Sequence, residues 1–179
     1  MILGLDISTS RVGFAVIEMD GTLISYNNIK YKADAVLEER ADYLMAGVAK
    51  IKKKFGVKHV FIEQPFIAFS GGKTTAVTMA KLQRFNGMCC YGVHCIFNDP
   101  PTLIAANKAR ALVGLKIKRG ENTKAKVIEW AKETYPESFT YDLTRYGNPK
   151  PGTDDMADAI VVANAGLKIL NEKKLDNLE

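Results

Sequence analysis

The chain has 179 residues, 47% of them apolar and 25% charged, with a formal net charge of +5. That length suits one domain with a proper core, and the composition excludes a disordered or collagen-like chain. No apolar stretch is long enough to span a bilayer and no basic leader precedes one, so neither a membrane partner nor a secretory route is expected. The positive balance leans toward polyanionic partners. Cys89, Cys90 and Cys95 lack His or Cys neighbours at metal-ligand spacing and read as reduced, buried small residues.

The chain opens with Met1–Ile7, a short unbroken apolar run that ends in one carboxylate, Asp6, followed by Ser8-Thr9-Ser10. A run without alternation suits a strand buried on both faces. Asp6 then has two readings: a turn-capping acid, or a buried carboxylate that needs a metal or hydrogen-bond donors. Gly13–Glu18 and Thr22–Tyr31 flank the hairpin signal Asp20-Gly21, so a three-strand meander is predicted. Leu37, Ala41, Leu44, Val48, Ile51 and Phe55 recur at helical spacing, with a lysine cluster in the last turns and Gly56 as the stop. His59–Ile62 is a fourth strand ending in Glu63, and Gln64-Pro65 breaks it. A helix is predicted from Thr74 to Cys90, apolar on more faces than one sheet can cover, which implies a second subunit. Val93–Phe97 reads as a fifth strand. Asp99-Pro100-Pro101 reads as a helix start, with the stop at Gly114. Thr123 is the expected cap of a helix reaching Tyr135, and 139–152 is a long aperiodic loop. A final apolar helix is expected over Met156–Leu170, followed by a frayed charged tail over 172–179. The order predicts an α/β fold, a mixed five-stranded sheet with helices on both faces.

Two buried strands thus end in carboxylates, Asp6 and Glu63. If those strands are parallel neighbours, the two ends lie side by side, at the sheet edge where open α/β folds bind ligands. Asp155 and Asp158 share one face of the last helix. First-turn acids complement the helix dipole, which explains Asp154 and Asp155 but not Asp158, set among Ala157, Ala159 and Ile160. Four converging carboxylates repel one another unless hard divalent cations join them. Two such ions about 4 Å apart support in-line phosphoryl displacement without a His, Cys or Ser nucleophile. His59 and His94, both placed on strands, are given core or surface roles.

Gly4-Leu5-Asp6-Ile7-Ser8-Thr9-Ser10-Arg11-Val12-Gly13, Phe61-Ile62-Glu63-Gln64-Pro65-Phe66 and Asp155-Met156-Ala157-Asp158-Ala159, in that order, resemble the RuvC family of Holliday junction resolvases. The resemblance runs over nearly the whole chain, and a phage or viral relative fits it. It implies an RNase H-like nuclease domain over 1–171. It implies a homodimer in the cytoplasm of a prokaryote or a virus-infected cell, with Mg2+-dependent nicking of four-way and other branched DNA. Two Mg2+ ions per site, replaceable by Mn2+, would lie on Asp6, Glu63, Asp155 and Asp158. Asp154 competes with Asp155 for that role, because it too shares a face with Asp158. The 139–150 segment departs from the bacterial pattern as an insertion, which leaves sequence preference and any motor partner open. The resemblance also places a junction-probing aromatic at Phe66, with Phe69 beside the Ser70-Gly71-Gly72 turn. The competing role for both rings is core cover.

Independently, Lys108, Arg110, Lys116, Lys118, Arg119, Lys124 and Lys126 cluster in one helix-loop-helix with only Glu121 opposing, as expected of a surface that meets a DNA backbone. Two other classes compete. Gly4–Gly21 also resembles the phosphate motif of actin-like sugar kinases, a reading that needs a second lobe for which the chain is too short. A non-catalytic junction-binding protein would not need four intact acids.

Overall fold

The computed structural model describes residues 1–32, 34–65 and 75–176. Its elements are β1 (Ile2–Ile7), β2 (Arg11–Ile17), β3 (Leu23–Lys30), α1 (Leu37–Phe55), β4 (His59–Gln64), α2 (Ala76–Phe97), β5 (Thr102–Ala105), α3 (Ala106–Leu112), α4 (Thr123–Thr134) and α5 (Thr153–Asp176). The strands form one sheet in the order β3-β2-β1-β4-β5. β1 to β3 are an antiparallel meander turned at Asp20-Gly21, where the Asp20 carboxylate accepts the Thr22 N–H at 2.8 Å. β4 and β5 join β1 in parallel. This is the mixed α/β sheet that the order of elements predicted.

The apolar run of β1 is buried on both faces because the sheet is covered twice. Leu3, Leu5, Val12, Val16, Val60 and Ile62 meet α1 and α2. On the other face Ile2, Ala15, Ile17, Phe61 and Ile104 meet α3, α4 and α5. Glycines set how closely α5 lies on that face. A Cβ at Gly4 would strike the Ala159 carbonyl, and one at Gly13 would strike the Asp155 carbonyl. Backbone therefore rests on backbone where α5 begins. Gly13→Ala is expected to cost about 1–3 kcal/mol by overpacking. It should also displace Asp155, so cleavage falls further than the melting temperature alone predicts. Equal melting temperature and equal activity would contradict that contact.

Four expectations are corrected. Val93–Phe97 is the end of α2, not a strand: Phe85, Cys89 and Val93 are buried at a spacing of four, and that helical stripe continues until Asn98 turns left-handed at φ 55°. His94 is accordingly an exposed helix residue, and Cys95 is exposed as well. The fifth strand is Thr102–Ala105, so Pro100-Pro101 leads into an edge strand rather than a helix; prolines are tolerated at a strand entry, where no ladder donor is required. Asn122, not Thr123, caps α4, its side chain accepting the Ala125 N–H at 3.2 Å. α5 runs from Thr153 through Asp176, so the segment expected to fray is helical that far.

Candidate active site

The site is built on the C-terminal ends of β1 and β4. Their parallel register pairs Gly4 with Phe61 and Leu5 with Ile62, so the next step sets Asp6 beside Glu63. Across the antiparallel side, Asp6, Gly13 and Asn28 form one row. The turn after β1 is organised by Ser8. Its N–H donates to the Arg11 carbonyl at 3.2 Å, its hydroxyl donates there at 2.8 Å, and it accepts the Arg11 N–H at 3.3 Å. The turn thus takes its cap from Ser8 and leaves the Asp6 carboxylate outside that network. α5 crosses above with Asp154, Asp155 and Asp158 in its first turns.

The electrostatics show how these acids converge. The Asp6 carboxyl is held well above the usual carboxylate range, first by burial, then by the charges of Glu63, Asp158, Asp155 and Asp154. Glu63 is pushed up to about 7, by burial first and Asp158 second, against the pull of Arg110. Asp158 rises to about 6, chiefly through burial, again opposed by Arg110. Asp155 is raised by burial and by Asp154. Asp154 differs: burial raises it, but the Lys124 ammonium outweighs that and leaves the carboxyl below its ordinary value.

Three cations face the cluster. Arg11 Nε lies 3.4 Å from Asp155 Oδ2, Arg110 Nη2 lies 3.7 Å from Asp158 Oδ1, and Lys124 Nζ donates to Asp154 Oδ2. Among the described residues no three His, Cys, Asp or Glu side chains are drawn into a ready metal cage. Arg110 and Lys124, which belong to the basic segment expected to meet DNA, are paired with the acids. Lys126 pairs with Glu129 at 2.6 Å. Lys108, Lys116, Lys118 and Arg119 are exposed, and the Glu121 carboxylate accepts the Lys118 N–H at 2.6 Å. Phe66, Phe69 and the Ser70-Gly71-Gly72 turn lie outside the described residues.

Arg11 and Asn28 escaped the sequence reading. Arg11 had a signal, as a lone charge opening an apolar strand five residues after Asp6. Asn28 had none, because its place on the Asp6 row exists only once three strands pair.

The sheet order, the helices on both faces and the acid-bearing edge define the RNase H-like fold. The solved structures that share it include Holliday junction resolvases. RuvC of Thermus thermophilus in complex with a Holliday junction substrate superposes with a TM-score of 0.70 at 14% identity, covering 96% of this chain and 94% of that one. The yeast mitochondrial Holliday junction resolvase Ydc2 gives 0.58 at 14% identity, over 97% and 80%. The fowlpox virus resolvase in complex with its junction DNA gives 0.50 at 15% identity, over 94% and 97%. No protein-family profile matches the sequence, and no curated protein matches it. No helix among the described residues is long and apolar enough to cross a membrane.

Proposed function

We propose that the chain is a structure-selective endodeoxyribonuclease that resolves four-way DNA junctions by hydrolysing phosphodiesters, working as a homodimer that makes paired nicks. The observation that carries this is the gathering of acids at one sheet edge: the β1–β4 register sets Asp6 beside Glu63, and α5 brings Asp154, Asp155 and Asp158 over them, where burial and neighbouring charge raise the Asp6, Glu63 and Asp158 carboxyls. Perturbed acids gathered in this way mark a chemical site rather than a structural one.

The donors fit a hard divalent cation. They are all carboxyl oxygens, and the five acids outnumber the three cations that face them; oxygen donors of this kind are the ligand set that Mg2+ and Mn2+ select. Asp6, Glu63, Asp155 and Asp158 would hold two such ions. Asp155 is preferred to Asp154, whose charge Lys124 already satisfies. Bound metal would activate water and stabilise the leaving oxygen. The chain's own residues do the positioning. The β1–β4 register sets Asp6 beside Glu63, and the close approach of Gly4 and Gly13 to the backbone of α5 sets the height of Asp155 and Asp158 above them. Arg11 holds Asp155 at the edge. Arg110 and Lys124 stand where the acids meet the basic helix-loop-helix and offset the repulsion between carboxylates and a DNA backbone.

A four-way junction, a flap, a linear duplex and an RNA–DNA hybrid offered together with Mg2+ test the reading. Preferred symmetric nicking of the junction is expected. Cleavage of the hybrid alone, or of nothing, would overturn it.

The dimer reading rests on α2. Phe85 faces inward and is fully buried against Tyr31, at 5.7 Å between ring centroids. The outward face instead carries Val77 at 78% exposure and Tyr91 at 71%, with Ala80 and Gly87 exposed between them. Small residues between two apolar anchors suit close self-association of helices across a two-fold axis. Tyr91→Lys is expected to give monomers that nick junctions poorly, read by light scattering and cleavage assay. A wild-type monomer at micromolar concentration would end the dimer reading.

A further inference from the structure

The segment expected to be an aperiodic loop contains a tight hairpin. Leu143 and Pro149 pair as an antiparallel bridge. The Lys150 N–H donates to the Asp142 carbonyl at 3.0 Å, and the Thr144 N–H to the Asn148 carbonyl at 2.7 Å. The Gly147 N–H closes the turn on the Thr144 carbonyl at 3.0 Å, with Gly147 at φ 78°, a conformation that suits glycine.

The base of the hairpin is locked at both ends. Phe139 is fully buried between the rings of Tyr26 and Tyr141, at centroid distances of 5.1 and 5.5 Å. The Tyr26 hydroxyl accepts the Thr140 N–H and donates to the Thr140 carbonyl, each at 2.8 Å. On the returning side, the Thr153 hydroxyl and N–H both donate to the Lys150 carbonyl, at 2.8 and 3.1 Å. The Asn28 amide donates to the Gly152 carbonyl at 3.0 Å. Asn28 belongs to the row of Asp6 and Gly13, and Thr153 opens the helix that carries Asp155 and Asp158. The hairpin therefore rises from the acid edge on a base continuous with the acids.

Its tip is not used by the fold. The Arg145 guanidinium stacks over the Tyr146 ring at 4.6 Å, yet that ring is 74% exposed. Asp142, the acid of the hairpin, pairs with Lys150 at 2.9 Å, so the tip keeps a positive charge. A π face and a planar guanidinium, already stacked on each other and held on a hydrogen-bonded stem, match the two surfaces of a single-stranded nucleotide: the base and the phosphate.

We propose that this tip engages an unpaired nucleotide of the substrate beside the scissile strand, Tyr146 stacking on the base and Arg145 taking the phosphate. The proposal rests on the reading of branched DNA as substrate. Binding is measured without divalent metal on a four-way junction carrying 2-aminopurine at the crossover, and on a linear duplex. The double variant Arg145→Ala/Tyr146→Ala is expected to lose about tenfold in junction affinity, with a salt slope smaller by about one. Its duplex affinity should change by less than about twofold, the loss of one stacked base being specific to unpaired DNA. Tyr146→Phe should keep the wild-type change in 2-aminopurine fluorescence, and Tyr146→Ala should lose it. Junction affinity and fluorescence unchanged in the double variant would overturn the proposal while leaving the nuclease reading intact. A lowered melting temperature with equal loss on both substrates would make the pair structural and overturn it as well. Failure of the wild type to bind any junction would remove the nuclease reading, and the hairpin's role with it.

Discussion

Asp6→Asn is expected to lower junction cleavage by about three orders of magnitude, some 4 kcal/mol of transition-state stabilisation, while junction affinity stays near that of the wild type. The two effects separate because different residues carry them. Asp6 is the most enclosed acid of the cluster and feels the other four charges. The amide keeps its shape but removes the charge that would hold a metal. On the proposed reading, affinity would rest on exposed cations such as Lys108, Lys116, Lys118 and Arg119, which this change leaves alone. Gel-shift and cleavage assays on one junction measure both. Cleavage within tenfold of wild type would take Asp6 out of the reaction. A parallel loss of binding would mean that the acid edge, not the basic segment, holds the DNA.

The same acids should make the metal-free protein more stable when they are neutralised. Glu63 titrates near 7 in the fold against an ordinary 4.5, and Asp158 near 6 against 3.8. Their pKa values are raised, so the native state binds more protons than the unfolded chain between those limits, and stability falls as pH rises through that window. Below about pH 4 neither group costs stability; above about 7 both do so in full. Glu63→Gln should then raise stability at pH 7.5 by roughly 2 kcal/mol, a gain of about 4–8 °C in melting temperature for a chain of this size. The gain should vanish near pH 4. Mg2+ should stabilise the wild type at pH 7.5 and the variant less, because the ion relieves the repulsion that the amide has already removed. A variant no more stable than wild type at pH 7.5, or a wild-type melting temperature flat from pH 4 to 7.5, would contradict the electrostatics of the site. Greater stability with lost activity is the usual exchange at a functional cluster of like charges.

The sequence by itself determined the elements whose chemistry is local. The unbroken apolar run of β1 required burial on both faces, Asp20-Gly21 required a hairpin, and the stripe from Leu37 to Phe55 required a helix against the sheet. Asp6, Glu63 and Asp158 were legible as candidates because charge at the end of a buried strand, or inside an apolar helix face, is costly wherever it occurs; Asp155 was singled out only by sharing a helix face with Asp158 and by the family resemblance. Tertiary structure alone decided the rest. Val93–Phe97 is apolar and β-branched enough for a strand, and it became helix because Phe85, Cys89 and Val93 share one buried stripe that continues α2. Thr102–Ala105 became the fifth strand because the edge of β4 offered a ladder that local propensity does not contain. The meeting of Arg110 with Asp158, of Lys124 with Asp154, and of Asn28 with the base of the 139–152 hairpin joins residues 30 to 124 positions apart. Such contacts depend on strand register and on the height of α5 over Gly4 and Gly13. Those are properties of packed backbones, and no window of sequence specifies them.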